Sequence, residues 1–123
     1  MPLAETFEEL RVWQQARELV RIIYGIAEQG DVKCQDFGFR DQIQRAAISV
    51  MNNIAEGFER GSKADFARFL DIAKGSCGEV RSMTYAAEDL GYLQAIKASD
   101  IRDTTLALSR GIAALTKSLR SKK

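Results

Sequence analysis

Residues 37–59 read FGFRDQIQRAAISVMNNIAEGFE, and this stretch decides the fold because it repeats at helical spacing on two sides. Apolar residues recur every three or four positions, the period of the core-facing side of an α-helix. The members of this apolar stripe are Ile43, Ala47, Val50, Ile54 and Phe58. The stretch therefore predicts one long amphipathic helix, about 37–59.

The other side of this helix carries short polar residues at the same spacing. This polar stripe consists of Gln42, Arg45, Ser49, Asn52, Asn53 and Glu56. Lys and Glu are more usual on a solvated helix face, because Ser and Asn are weaker helix formers. The stripe favours hydrogen bonding to a protein partner, with Arg45 paired to Glu56 or to a partner carboxylate. The alternative is a solvated face or an intrachain cap of the neighbouring turn.

A first helix is predicted at about 7–29. Thr6 and Glu9 have the spacing of a capping box, and Gly30 ends the helical pattern. The apolar surface is wider than one bundle face needs, which favours contact with another chain. Its members are Phe7, Leu10, Val12, Trp13, Ala16, Leu19, Val20, Ile22, Ile23, Ile26 and Ala27.

A third helix is predicted at about 63–90, with Ser62 and Asp65 as a second capping box and Gly91 as its C-terminal glycine. Its apolar face is Phe66, Phe69, Ala73, Ser76, Val80, Met83, Ala87 and Leu90. Gly75, Ser76 and Gly78 interrupt the middle of this helix. Since a helix-interior glycine costs up to about 1 kcal/mol relative to alanine, we expect another helix to approach closely there, with Ala46 and Ala47 as the candidate surface.

A fourth helix is predicted at about 100–120, capped by Ser99, with Ile101, Thr105, Leu108, Ile112, Leu115 and Leu119 on one side. Short connectors join the four helices, and Pro2 is the only proline among 123 residues. The sequence therefore predicts an all-α fold, an antiparallel up-down-up-down four-helix bundle that forms one domain over residues 1–123 and assembles as a homo-oligomer.

Composition narrows the environment and the partners. No stretch is long and apolar enough to cross a membrane, and the acidic start is unlike a signal peptide. Cys34 and Cys77 are expected to be reduced thiols of a cytoplasmic protein. The formal net charge is +1, so no global field attracts nucleic acid.

Two groups of cations are candidate contacts to RNA or DNA. Arg60, Lys63 and Arg68 flank the turn between the second and third helices, and Arg110, Lys117 and Arg120 lie in a segment, 104–123, without acidic residues. Copies of such patches in an oligomer would form a larger basic surface. The alternative for the C-terminal group is that cations favour a helix C-terminus and keep the protein soluble.

Enzymatic chemistry is disfavoured. The chain has no histidine, the commonest general base and metal ligand, and two isolated cysteines do not make a zinc site. Residues 57–62 resemble a glycine-rich loop, with glycines at 57 and 61. They follow a helix and lack the Gly-Lys-Ser/Thr ending of a phosphate-binding loop, which argues against that motif. We predict no catalytic residue, metal or cofactor.

The sequence resembles the bacterial four-helix bundle proteins encoded in intervening sequences of 23S ribosomal RNA genes. Residues 42–57, QIQRAAISVMNNIAEG, resemble that family's signature, and 7–10, FEEL, with 12–14, VWQ, resemble its start. A further block comprises Phe66, Phe69, Leu70, Ile72, Ala73, Gly75, Ser76 and Glu79. The chain departs from the family in lacking a proline before the second helix and another after Ser49, where Met51 stands.

The resemblance implies a cytosolic four-helix bundle, homopentameric rings and no established catalytic activity. A distant relative, the accessory protein of diversity-generating retroelements, binds nucleic acid and a reverse transcriptase. The hypothesis from sequence is a non-enzymatic oligomer, a pentamer, that binds RNA, DNA or a nucleic-acid enzyme. The competing hypothesis is a protein–protein adaptor without nucleic-acid binding.

Overall fold

The computed structural model describes residues 4–28 and 36–121, which form four α-helices and no strand within those ranges. The helices are α1 (Arg11–Glu28), α2 (Phe37–Glu59), α3 (Lys63–Asp89) and α4 (Ala95–Arg120). They pack as a helical bundle in which α3 contacts both α2 and α4. The expectations for Gly30 and Cys34 lie outside the described residues, as do the last two residues of the segment 104–123.

The first helix starts later than predicted, and the capping box at Thr6 is wrong. Phe7–Glu9 form a short 3-10 helix, Leu10 is extended, and the Thr6 side chain makes no cap hydrogen bond. The Glu9 carboxylate instead accepts from the backbone N–H of Glu5 at 3.0 Å. The kink at Leu10 lets its side chain enter the core, where it is 4% exposed.

The ends of α3 follow the predicted chemistry more closely. The Ser62 hydroxyl accepts from the Asp65 N–H at 3.1 Å. Gly91 has φ +79°, and the N–H groups of Gly91 and Tyr92 donate to the carbonyls of Glu88 and Ala87. This is a Schellman motif, which satisfies carbonyls that the last helical turn leaves open.

The fourth helix begins at Ala95, so the Ser99 cap is wrong. Gln94 occupies the N-cap position, and Ser99 lies inside the first turns. The earlier start buries Ala98 at 0% exposure, one helical turn before Ile101. Apolar burial in this turn outweighs the local preference of serine for a cap.

The core lies along one stripe of each helix. In α1 the buried members are Val12, Ala16, Leu19 and Ile23, while Trp13, Val20, Ile22 and Ile26 are partly buried against them. The wide apolar surface of α1 is thus largely covered within one chain. In α3 the stripe runs through Leu70, Cys77 and Thr84, and the predicted core residue Leu90 is 59% exposed.

Candidate interaction surfaces

The centre of the polar stripe forms a hydrogen-bonded link between α2 and α3. The Ser49 and Ser76 hydroxyls lie 2.9 Å apart. The Asn53 amide nitrogen donates to the Ser49 carbonyl at 2.8 Å and to the Ser49 hydroxyl at 3.0 Å. These groups are partly buried, so this part of the stripe meets hydrogen-bond partners within the chain.

The outer members of the stripe are exposed. The Gln42 amide donates to the Glu79 carboxylate at 3.3 Å, and Asn52 faces solvent. Arg45 pairs with Asp41 at 3.6 Å. The predicted intrachain pair between Arg45 and Glu56 is wrong, because eleven residues of helix separate them by roughly 16 Å.

The predicted close approach at the α3 glycines is wrong within one chain. A Cβ at Gly75 would meet no atom within 4 Å, and one at Gly78 would meet only an Arg81 nitrogen at 3.9 Å. Of the three predicted positions, only Ser76 contacts α2. The close approach occurs instead at Gly57, where a Cβ would lie 2.6 Å from the Phe69 Cβ.

The cations at the α2–α3 turn are largely paired. Arg60 binds Glu56 at 3.1 Å, and Arg68 lies 3.4 Å from Asp65. Lys63 is exposed and makes no ion pair within the described ranges. Among the described residues of the turn, Lys63 is therefore an unpaired cation. The positive potentials of Arg60 and Arg68 are reduced by their adjacent carboxylates.

The second half of α4 presents a more open basic face. Arg110 and Lys117 lie two helical turns apart, both exposed, and neither has an acidic partner in the part of the chain that the structure describes. Arg120 pairs with Asp71 of α3 at 2.7 Å. Of the six predicted contacts, the structure thus brings Arg60, Lys63 and Arg68 to the turn and Arg110, Lys117 and Arg120 to this face.

Two carboxylates, Glu56 and Glu59, line a shallow surface depression of about 450 Å³ together with Asn52, Ala55 and Arg60. Both are exposed, and the depression is open to solvent. A substrate site would ordinarily enclose its ligand. Among the described residues no group of three acidic, cysteine or histidine side chains could hold a metal ion, and no described helix is long and apolar enough to span a membrane.

Sequence reasoning missed a polar cluster between α3 and α4. Arg102 pairs with Glu88 at 2.9 Å, donates to the Thr84 hydroxyl at 3.2 Å and lies 4.0 Å from the Tyr85 ring centroid. Its side chain is only 16% exposed. No periodic signal identifies it, because these residues come together only through the packing of α4 on α3.

Sequence reasoning also missed the exposed apolar residues. Those of the described ranges lie mainly on α3, α4 and the turn between them, not on α1. They are Phe37, Ile72, Tyr85, Leu90, Ile96 and Leu106. Such residues are candidates for contact with another protein.

Comparison with known proteins agrees with this architecture. The model of the 23S rRNA-intervening sequence protein family matches residues 8–114. A solved structure, a protein of unknown function from the S23 ribosomal protein family of Bacteroides thetaiotaomicron, superposes with a TM-score of 0.80 at 21% identity, covering 86% of this chain and 95% of that one. At this identity the likeness shows the fold alone. No curated protein sequence matches the chain.

Proposed function

The chain belongs to the 23S rRNA-intervening sequence protein family, and we propose that it is a non-enzymatic helical bundle that binds RNA or DNA as a homo-oligomer. The proposed oligomer is a ring of five in the cytoplasm, and the α4 basic face is its main nucleic-acid contact. The proposal extends to an antiparallel up-down-up-down order of the helices. Pairing of Gln42, early in α2, with Glu79, late in α3, supports opposite directions for those two helices.

The observation that carries the proposal is the free charge of Arg110 and Lys117. Both are exposed without an acidic partner among the described residues, and no acidic residue follows Asp103 in the sequence. Phosphate contacts by Lys and Arg supply most of the affinity of sequence-independent nucleic-acid binding. Since the net charge is only +1, repetition of this face around an oligomer would provide the field that one chain lacks.

Self-assembly is supported by the surface beside the Ser49–Ser76 link. Ile72 is 45% exposed, and the space above Gly75 is open in the single chain. A glycine inside a helix lowers the stability of that helix relative to alanine. Close packing of a second chain against the bare backbone at Gly75 would compensate for this cost. The exposed Arg45, Asn52 and Glu56 would then lie near the contact.

Light scattering of the purified protein, alone and with RNA or DNA at low salt, tests both parts. The expected results are a mass of five chains and a larger particle with nucleic acid. Replacing Gly75 with arginine should reduce the mass, because a long charged side chain would block the contact. A monomer would contradict the assembly, and absence of binding to RNA and DNA would contradict the nucleic-acid role.

A protein–protein adaptor is the second candidate. The observation that favours it is the exposure of Tyr85, Leu90 and Ile96, which are 56%, 59% and 72% exposed near the α3–α4 turn. An adaptor would bind its partner through these residues with little dependence on salt. Absence of nucleic-acid binding at low salt, with retained assembly, would favour this alternative.

A further inference from the structure

The ring of Phe69 in α3 contacts the guanidinium groups of two arginines. The Cζ atoms of Arg60 and Arg68 lie 4.9 and 4.7 Å from the centroid of its ring. Both distances are within the range of a cation–π contact, in which the planar guanidinium stacks on an aromatic face. The α2–α3 turn therefore presents an aromatic ring and two planar cations at one place.

Contacts with α2 and with two carboxylates hold Phe69 and the two arginines in place. Gly57 lets the stem of Phe69 rest against α2, since a Cβ there would lie 2.6 Å from the Phe69 Cβ. Glu56 and Asp65 engage Arg60 and Arg68 at 3.1 and 3.4 Å. These contacts restrain the guanidinium groups before any ligand arrives, which lowers the entropy cost of binding.

The pattern of charge favours a neutral planar ligand over a phosphate at the two arginines. Glu56 and Asp65 already neutralise them and would repel an incoming phosphate. The Arg60 and Arg68 side chains remain 46% and 56% exposed. Lys63, exposed on the same turn without an ion pair in the described ranges, supplies one unneutralised cation for a neighbouring phosphate.

We propose that Arg60, Lys63, Arg68 and Phe69 form a site for unpaired bases of single-stranded RNA or DNA. The bases stack on the outer faces of the two guanidinium groups, which the Phe69 ring supports from the other side, and Lys63 contacts the backbone. Aromatic and arginine planes are the usual platforms for unstacked bases. A duplex is excluded from this contact because its base faces already cover one another. The inference rests on the proposed nucleic-acid function and specifies the form of nucleic acid.

Fluorescence anisotropy with three probes of equal length tests the site: a single strand, an abasic strand with the same phosphates, and a duplex. We expect the wild type to bind the single strand about 5- to 150-fold more tightly than the abasic strand, the equivalent of about 1–3 kcal/mol for one stacked base. The variant Arg60→Lys/Arg68→Lys keeps both charges and removes both planar groups. It should bind the single strand and the abasic strand equally.

The matched control is Arg11→Lys/Arg21→Lys, which changes two exposed arginines that stack on no ring of the described residues and should keep the wild-type preference. Equal wild-type affinity for the single and abasic strands would overturn the stacking site and leave the nucleic-acid function standing. Preference that survives in Arg60→Lys/Arg68→Lys would also overturn it. Failure of all three probes to bind at low salt would overturn the proposed function itself, and the site with it.

Discussion

Gly57 of α2 and Phe69 of α3 pack so closely that a Cβ at position 57 would lie 2.6 Å from the Phe69 Cβ. The same added atom would lie 3.3 Å from the Phe66 carbonyl oxygen, which belongs to the backbone and cannot rotate away. The α2–α3 contact near the turn therefore depends on the absence of a side chain at Gly57.

Gly57→Ala should destabilise the protein. Overpacking typically costs about 1–3 kcal/mol, which exceeds the gain of up to about 1 kcal/mol from replacing a helical glycine with alanine. Gly25→Ala in α1 is the matched control, because a Cβ there would meet no neighbouring side chain or other helix within 4 Å. Urea denaturation should therefore give a lower free energy of unfolding for Gly57→Ala than for Gly25→Ala. Equal stability of the two variants would contradict the packing described.

Two neighbouring members of the polar stripe should respond differently to leucine. Asn53→Leu removes both hydrogen bonds to Ser49 and should lower the free energy of unfolding by about 1 kcal/mol. Glu56→Leu removes only an exposed ion pair with Arg60, which contributes about 0–1 kcal/mol. Thermal melting and mass measurement of both variants separate folding from assembly. An unchanged melting temperature for Asn53→Leu would indicate that the stripe is only solvated.

The buried thiol of Cys77 should make stability fall at high pH. Burial raises its pKa from 9.0 to about 11, and its Sγ lies 3.3 Å from the Thr105 carbonyl oxygen, to which it donates. Because the folded protein favours the protonated thiol, this contribution is complete below pH 9.0 and is lost as pH rises towards 11.

Denaturation across this pH range checks the effect in a Cys34→Ser background, with Cys34→Ser/Cys77→Ala as the control. The control should lose less stability than its parent between the two pH values. The native Cys77 thiol should also resist a disulfide reagent near neutral pH until the protein unfolds. Rapid modification without unfolding would contradict its burial.

Asp36 should stabilise the start of α2 except in acid. Its carboxylate accepts from the Phe39 N–H at 3.0 Å and from the Tyr92 hydroxyl at 2.9 Å, and both bonds lower the pKa of Asp36 below 3.8. A lowered pKa means that the contribution is present above pH 3.8 and is lost as pH falls through the folded value. Asp36→Ala should lower the melting temperature at neutral pH, and the difference from wild type should shrink in acid. A difference that is constant with pH would contradict the carboxylate's role.

The helical periodicity of residues 37–59 predicts α2, and Ser62 and Gly91 mark the ends of α3, because these signals are local. The start of α4 at Ala95 and the kink at Leu10 are not predictable in this way, since burial of Ala98 and Leu10 overrides the local capping preference. Glycine spacing pointed to Gly75 and Gly78, whereas the close approach is at Gly57. Which glycine faces a neighbouring helix depends on the rotation of α2 against α3, and one sequence does not specify that rotation.

Some features of the candidate site can likewise be predicted from the sequence, and others depend on tertiary packing. Charge counting along the sequence finds Arg110, Lys117 and Lys63, which remain unpaired within the described ranges. The pairs of Arg60 with Glu56 and of Arg68 with Asp65 have local helical spacing. The partner of Arg120 cannot be found in this way, because Asp71 meets it only through the packing of α3 on α4. The stacking of Arg60 and Arg68 on Phe69 is likewise a consequence of the turn geometry.

The most direct test of the nucleic-acid function is the salt dependence of RNA binding by the wild type and by Arg110→Gln/Lys117→Gln. Each phosphate contact contributes a slope of about −0.7 for a single strand in a plot of log affinity against log salt. We expect measurable wild-type affinity at low salt and a slope that becomes shallower by about 1.4 or more when both cations are removed. No measurable affinity at low salt, or an unchanged slope in the double variant, would contradict the assignment of the α4 face to nucleic-acid binding.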